Sequence, residues 1–344
     1  MASGTAPDLV DPRANNPAFD KIMAEIDHLQ LSSYVEELDA QGFTVIPPEI
    51  ACPNALDKRL LDAILNVAEE RNGVRPDLEG GSTHLNYGGR FAEPDATLSK
   101  ESVGDDTAED SPIGEFFQSL LFEGEVFEEA LMNPVLLAMT TYLLGYTCNL
   151  SGMSAFVKGP NRTNLPLHSD TLLPDPLPSH ALICNCSYAL TEYSRENGSI
   201  AFVPGSHKLN RAPYAHERSL DPETGNPDAV HVEAKAGSLI VFHGATWHGA
   251  YNRQVEGLRV TMPVLMSRTF MRSEEHLCEM ISDEMIERNG PRFAILTQQA
   301  FQYSFTDYRK SAERGERGAK LFKAYDEQLG GVLNKIPLQL DLYG

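Results

Sequence analysis

The first part of the chain places apolar residues at helical spacing. A regular apolar stripe on a polar background predicts an amphipathic helix. We expect five helices, at 19–31, 34–40, 54–71, 112–121 and 133–144. Between the second and third of these, the apolar run 43–46 ends at Pro47 and Pro48, so we expect a strand there.

Shorter apolar runs, separated by turn signals, fill the middle of the chain. They predict strands at 148–158, 182–190, 200–203, 237–243 and 259–266. Long helices followed by many short strands fit a mainly β fold with flanking helices, namely a double-stranded β-helix, the cupin-like jelly-roll. The strand count alone would also allow other sandwiches.

Three regions with different patterns suggest the domain organisation. We expect a flexible N-terminal arm at 1–18, a jelly-roll domain with N-terminal helices at 19–270, and a helical C-terminal extension at 271–344. The extension would pack on the barrel or form a subunit contact. Inside the domain, the Gly-, Asp- and Ser-rich segment 72–111 is either a surface loop or a lid. As a lid it would use His84, Asn86, Tyr87 and Arg90.

Charge and composition narrow the partners. The chain has 344 residues and a net charge of −21, so its surface repels phosphate backbones and anionic membranes. No apolar run approaches a membrane span, and residues 1–17 lack the apolar core of a secretory signal. Together with five cysteines, which cannot all pair, this favours a cytoplasmic protein with reduced thiols.

The strongest chemical signal is the pair His168 and Asp170. Side chains two residues apart on a strand point to the same face, so both can reach one metal ion. His248, 78 residues after Asp170, would complete a set of two His and one carboxylate, which leaves open positions on Fe(II). The similar pair His231 and Glu233 has no third partner at a suitable distance, so we interpret it as an exposed strand face.

Several motifs surround these residues in a fixed order. They are Glu196-Asn197-Gly198-Ser199, Pro204-Gly205-Ser206-His207, Trp247-His248-Gly249 and Gly257-Leu258-Arg259. In this order and spacing they resemble the phytanoyl-CoA dioxygenase family of Fe(II)- and 2-oxoglutarate-dependent oxygenases. The resemblance is firm from about 149 to about 266, looser at 31–51, and absent after 270.

The resemblance implies roles for individual residues. His168, Asp170 and His248 would bind the iron, and Arg259, 11 residues after His248, would bind the far carboxylate of 2-oxoglutarate. A guanidinium group suits a carboxylate because it donates two parallel hydrogen bonds. Thr171 would offer a hydroxyl group to the same co-substrate. Related halogenases lack the carboxylate at the position of Asp170, so its presence here favours oxidation over halogenation.

The function implied is a dioxygenase that uses O2 and 2-oxoglutarate to hydroxylate a C–H bond of a small organic molecule, releasing succinate and carbon dioxide. Two alternatives remain open: a jelly-roll that binds a ligand or metal without catalysis, and a cupin-type metalloenzyme that does not use 2-oxoglutarate. We expect structural roles for His207, His243 and Trp247. A homodimer is one assembly that the C-terminal extension would allow.

Overall fold

Two antiparallel β-sheets form the centre of the molecule. The computed structural model describes residues 17–80, 112–174, 176–300 and 311–333 (for 311–314, the backbone only). Within these residues the larger sheet has seven strands: β1 (Phe43–Ile46), β2 (Glu115–Phe117), β3 (Asn149–Met153), β4 (Ala155–Lys158), β6 (Ile183–Ala189), β9 (Ser238–His243) and β11 (Arg259–Ser267). The smaller sheet has four: β5 (Leu165–His168), β7 (Ile200–Phe202), β8 (Val230–His231) and β10 (His248–Ala250).

The larger sheet runs in the order β1-β9-β6-β11-β4-β2, and β3 also pairs with β11. Successive side chains along each strand point to opposite faces of this sheet. On β11, Val260, Met262 and Val264 belong to the large buried apolar cluster on the outer face, which we call the outer cluster. Arg259 and Thr261 therefore face the interior of the barrel.

Aromatic contacts join the two sheets across the interior. Phe202 on β7 stacks on Phe43 of β1 with ring centroids 4.3 Å apart, and its edge meets Phe242 of β9 at 5.1 Å. Phe242 in turn lies 4.6 Å from the ring of His248 on β10. We call the buried set Phe43, Ala189, Tyr193, Phe202, Val232, Ala234, Ile240 and Phe242 the inner cluster.

Helices cover the outer face of the larger sheet. The described helices are α1 (Pro17–His28), α2 (Ser32–Gln41), α3 (Pro48–Ala51), α4 (Leu56–Asn72), α5 (Glu125–Leu131), α6 (Pro134–Leu144), α7 (Asp283–Asn289), α8 (Pro291–Leu296) and α9 (Ser311–Gln328). Helix α6 lies against β6 and β9 and is buried along almost its whole length. Asn133 caps it, because its side chain accepts a hydrogen bond from the backbone N–H of Val135 at 3.0 Å.

The predicted jelly-roll with flanking helices is confirmed, but some predicted elements are wrong. The segment 112–121 is not a helix: it contains β2, followed by a 3₁₀ turn at Leu120–Phe122. Phe116 of β2 stacks on Phe156 of β4 at 4.9 Å, and this pairing with a distant strand overrides the local helical pattern. Helix α5 was not predicted, and the strand expected at 148–158 is two strands, β3 and β4.

The described part of the C-terminal region carries α7, α8 and α9, and its apolar residues join the outer cluster. The predicted division of the chain into domains stays a prediction. Of the described helices, none is long and apolar enough to cross a membrane. Residues 81–111, which include the suggested lid residues His84, Asn86, Tyr87 and Arg90, lie outside the described residues. The same holds for residues 1–16 of the predicted arm.

Candidate metal centre

Strand pairing brings the three predicted metal ligands together. His168 ends β5, His248 begins β10, and the two are direct partners in the smaller sheet. Asp170 follows two residues after His168, with its Oδ1 3.5 Å from Nε2 of His248 and 4.0 Å from Nε2 of His168. Their candidate ligand atoms all lie within 4.8 Å of one another, and no other described residues form such a group of three.

Both imidazole rings are oriented by backbone carbonyl groups. Nδ1 of His168 lies 2.9 Å from the carbonyl oxygen of Pro166, and Nδ1 of His248 lies 3.0 Å from that of Thr246. Because a carbonyl oxygen only accepts, each Nδ1 carries the proton and each Nε2 presents a lone pair toward Asp170. This is the arrangement that a metal-binding histidine needs.

The charges at the site also suit a cation. Burial, and next the neighbouring His248, lower the pKa of His168 to about 4, while Asp170 acts in the opposite direction. His168 is therefore neutral near pH 7, as a metal ligand must be. Oδ2 of Asp170 is buried without a hydrogen-bond partner among the described residues. A buried carboxylate oxygen without a partner is costly, and a bound cation would satisfy it.

Ser169, between the two ligands of the first motif, turns away from them and fixes the backbone. Its hydroxyl group lies 2.8 Å from the carbonyl oxygen of Thr171 and 3.1 Å from that of Gly244, and it is 2 % exposed. The backbone N–H of Thr171 also donates to the Gly244 carbonyl, at 2.9 Å. The segment that carries Asp170 is thus fastened to the turn after β9.

Arg259 is the first residue of β11 and points into the barrel. It is 4 % exposed, its Nη1 donates to the carbonyl oxygen of Gly198, and its Nε has no partner among the described residues. The guanidinium carbon lies 5.2 Å from the ring centroid of Tyr193. Tyr193 belongs to the inner cluster, which also contacts His248. Arg259 and the metal-ligand group therefore border the same interior.

Thr171 is buried beside the metal-ligand group. It is 3 % exposed, and its Oγ1 has no hydrogen-bond partner among the described residues. A Cβ atom added at Gly244 would lie 2.8 Å from this oxygen, so the hydroxyl faces a position where only glycine leaves room. The hydroxyl group therefore lies against the turn after β9, to which the Ser169 hydroxyl is also bonded.

The histidines expected to be structural lie apart from the metal-ligand group. His207 and His243 are neighbours, with ring centroids 5.3 Å apart, and Nδ1 of His243 accepts from the backbone N–H of Ala245 at 3.0 Å. Trp247 packs on the outer face of the smaller sheet. His231 and Glu233 form an exposed pair at 3.4 Å, as expected for the solvent face of a strand.

Sequence reasoning missed two residues at the site. Lys158 is fully buried on β4, opposite Arg259 in the sheet. Its place in the apolar strand Ala155-Phe156-Val157-Lys158 is only a weak signal, because a lysine at the end of a strand ordinarily reaches solvent. Glu274 gave no such signal, because it approaches Asp170 only through the fold. Partial burial, and next the charge of Asp170, raise the pKa of Glu274, although much of the side chain is exposed.

A comparison with models of protein families identifies the family of the chain. Residues 39–260, more than half of its length, match the family model for phytanoyl-CoA dioxygenase. The chain belongs to the phytanoyl-CoA dioxygenase family. The match spans all three candidate metal ligands and Arg259, and it ends at the second residue of β11.

Curated relatives of the phytanoyl-CoA dioxygenase family agree with this. Dioxygenase af480 from Aspergillus fumigatus is 32% identical over 124 residues, covering 36% of this chain and 38% of the relative. The human protein named phytanoyl-CoA dioxygenase, peroxisomal, is 24% identical over 143 residues, covering 39% of this chain and 40% of the relative. The matched part thus spans about two fifths of the length of these two relatives.

Solved structures resemble the fold at low sequence identity. HygX from Streptomyces hygroscopicus, solved with nickel and 2-oxoglutarate bound, aligns with a TM-score of 0.50 and 17% identity, covering 70% of this chain and 88% of HygX. A further HygX structure, with hygromycin B also bound, aligns with a TM-score of 0.50 and 18% identity. At this level of identity the likeness establishes the shared fold alone.

Proposed function

We propose that this protein is an Fe(II)- and 2-oxoglutarate-dependent dioxygenase that oxidises a C–H bond of a small organic molecule, normally to an alcohol. The observation that carries the proposal is the convergence of His168, Asp170 and His248 in a barrel that also buries Arg259 without an anionic partner among the described residues. Membership of a dioxygenase family supports it. A second support is that HygX, which has the same fold, was solved with nickel and 2-oxoglutarate bound.

Each residue has a defined task in this proposal. His168 and His248 would hold the iron through Nε2, because their Nδ1 protons are used by backbone carbonyl groups. Asp170 would supply the single carboxylate, and two His with one carboxylate is the ligand set that non-haem Fe(II) oxygenases use. Bound iron would supply the activation of O2 that is coupled to conversion of 2-oxoglutarate into succinate and carbon dioxide.

The remaining residues position the co-substrate and keep water away. Arg259 binds the carboxylate farthest from the metal through a charge-assisted hydrogen bond, and the Thr171 hydroxyl donates to the same molecule. The inner cluster excludes water from the space between Arg259 and His248, which strengthens these polar contacts. The protein thereby binds and orients the reactants, while the metal carries out the difficult oxidation.

The first test is succinate release under air with iron, 2-oxoglutarate and a panel of small organic substrates. We expect release to require all components, and we expect His168→Ala, Asp170→Ala and His248→Ala to lower it at least 100-fold. The double variant His231→Ala/Glu233→Ala is a matched control, because it removes an exposed His and carboxylate at the same spacing. Full activity in the Asp170→Ala protein would refute the ligand assignment.

The same experiment separates the two alternative functions. A binding protein without catalysis would take up metal but release no succinate with any substrate, even in the slow uncoupled reaction. A cupin-type enzyme without 2-oxoglutarate would turn over substrate equally well when Arg259 is replaced by Ala. Loss of both co-substrate binding and turnover in Arg259→Ala supports the proposed function. Homodimer formation and a cytoplasmic location stay predictions.

A further inference from the structure

Four basic side chains lie together at the end of the barrel where β11 begins. They are Lys158 on β4, Arg195 after β6, Arg253 after β10, and Arg259 on β11. Lys158 is 0 %, Arg259 4 % and Arg253 6 % exposed. None of the four lies within ion-pair distance of a carboxylate of the described chain. Buried cations without an anion are costly, so this end of the barrel is suited to an anionic ligand.

Lys158 is the most deeply buried of these cations. It is the direct cross-strand partner of Arg259, and such partners share one face of a sheet. The neighbouring pair Val157 and Val260 belongs to the outer apolar cluster. Lys158 and Arg259 therefore both face the interior, although Lys158 lies about 100 residues earlier in the chain.

The ammonium group of Lys158 is held next to the Arg259 contact. Nζ donates to the carbonyl oxygens of Pro112 at 2.7 Å and Tyr251 at 2.8 Å, and the third proton of the ammonium form has no acceptor among the described residues. The same Tyr251 oxygen lies 2.9 Å from the position that a Cβ atom would take at Gly198. The carbonyl of Gly198 accepts from Arg259. Both cationic groups thus approach the same short stretch of backbone.

We propose that Lys158 is a second cation of the 2-oxoglutarate site and that, together with Arg259, it stabilises the co-substrate carboxylate farthest from the metal. The inference rests on the proposed function and adds a residue to it. In an interior of low dielectric, a full positive charge acts over several ångströms even without direct contact. Lys158 would therefore favour a dicarboxylate over an oxoacid with one carboxylate.

The surroundings of Lys158 predict a second, measurable effect. Burial, and next the charges of Arg259, Arg253 and Arg195, lower its pKa well below the ordinary value. The nearby carboxylate on β2, Glu115, is bonded to Asn72 instead. A bound dicarboxylate favours the ammonium form, so binding of 2-oxoglutarate should raise this pKa, and the protein should take up a proton at pH values between the free and bound pKa, which calorimetry at a series of pH values locates.

The test is calorimetry of 2-oxoglutarate binding to the nickel-loaded protein without oxygen, in buffers with different heats of ionisation. We expect the parent protein to bind 2-oxoglutarate with proton uptake. We expect Lys158→Met to bind it 10- to 100-fold more weakly and with no proton uptake. The matched control is Lys208→Met. Lys208 also donates to a backbone carbonyl, that of Ala40 at 3.0 Å, but it is exposed and outside the cluster. We expect that variant to bind like the parent.

A purely structural role for Lys158 predicts a different result. Lys158→Met would then lower the melting temperature but leave the affinity and proton uptake of the folded protein unchanged, and that outcome overturns the proposal. If Lys158→Met does not fold, binding of 2-oxoglutarate and of 2-oxopentanoate to the parent protein is compared instead. 2-Oxopentanoate has a methyl group in place of the far carboxylate. Equal proton uptake with both oxoacids would refute the role of Lys158. If the parent binds no 2-oxoglutarate, or if Arg259→Met binds it as tightly as the parent does, the proposed function itself fails.

Discussion

Ser169 offers a sharp test of how the barrel holds its metal ligands. Its hydroxyl group touches no ligand atom, but it lies 2.8 Å from the carbonyl oxygen of Thr171 and 3.1 Å from that of Gly244. Replacing Ser169 by Ala removes one oxygen atom and leaves every proposed metal ligand in place. Any loss of metal affinity must then come from the backbone that carries Asp170.

The expected magnitude follows from the hydrogen bonds. The Gly244 carbonyl keeps its bond from the backbone N–H of Thr171 at 2.9 Å, so only the Thr171 carbonyl loses its partner. A buried carbonyl without a partner costs about 1–3 kcal/mol. Because Thr171 follows Asp170 directly, we expect metal affinity to fall about 10-fold, at the lower end of the range for residues that orient metal ligands.

Two measurements separate stability from metal binding. Urea unfolding without metal gives the change in the free energy of unfolding, and competition with a coloured chelator gives the affinity for nickel or zinc. Ser179→Ala is the matched control, since Ser179 is exposed in the same connection between β5 and β6. The reasoning is refuted if Ser169→Ala unfolds and binds metal like the parent, or if both serine variants change equally.

Three further predictions concern other parts of the fold. Burial raises the pKa of Glu115 from 4.5 to about 7, so the folded protein loses stability as pH rises through this window. Glu115→Gln should be more stable than the parent by about 3 kcal/mol above pH 7. The gain should fade toward pH 4.5 and be absent in the exposed control Glu70→Gln, and thermal melts across this pH range measure it. Gly198→Ala should weaken 2-oxoglutarate binding in calorimetry, because Gly198 has φ +75° and a Cβ there would lie 2.9 Å from backbone atoms. Phe202→Leu should weaken metal and co-substrate binding together, whereas Phe293→Leu, equally buried in the outer cluster, should lower only the melting temperature.

The chemistry could be predicted from the sequence because it depends on short, local patterns. His168 and Asp170 share a face through the two-residue period of an extended chain, and the structure brings them to within 4.0 Å. Arg259 was identified through the family resemblance, and its position in an apolar strand agrees with that role. The third ligand, His248, was proposed to complete the ligand set, and the family resemblance supported it because no local rule joins residues so far apart.

What the sequence could not give depends on long-range pairing. The segment 112–121 has the local pattern of a helix, but β2 within it is an edge strand that gains its hydrogen bonds from β4. The role inferred for Lys158 was hidden for the same reason. A lysine at the end of an apolar strand ordinarily ends in solvent, and only its pairing with Arg259 places it in the interior.

The division of the site between the two sheets has a consequence for how the protein could change during evolution. The metal ligands belong to the smaller sheet and its loops, while Arg259 and Lys158 belong to the larger sheet. Their separation is set by sheet packing across the inner cluster rather than by any loop length. The segment 208–228 is tied to this arrangement at one point, because Arg218 exchanges hydrogen bonds with the backbone of Leu167, the residue before His168. We therefore expect substrate choice to depend on the connections around the two sheets rather than on the strands themselves.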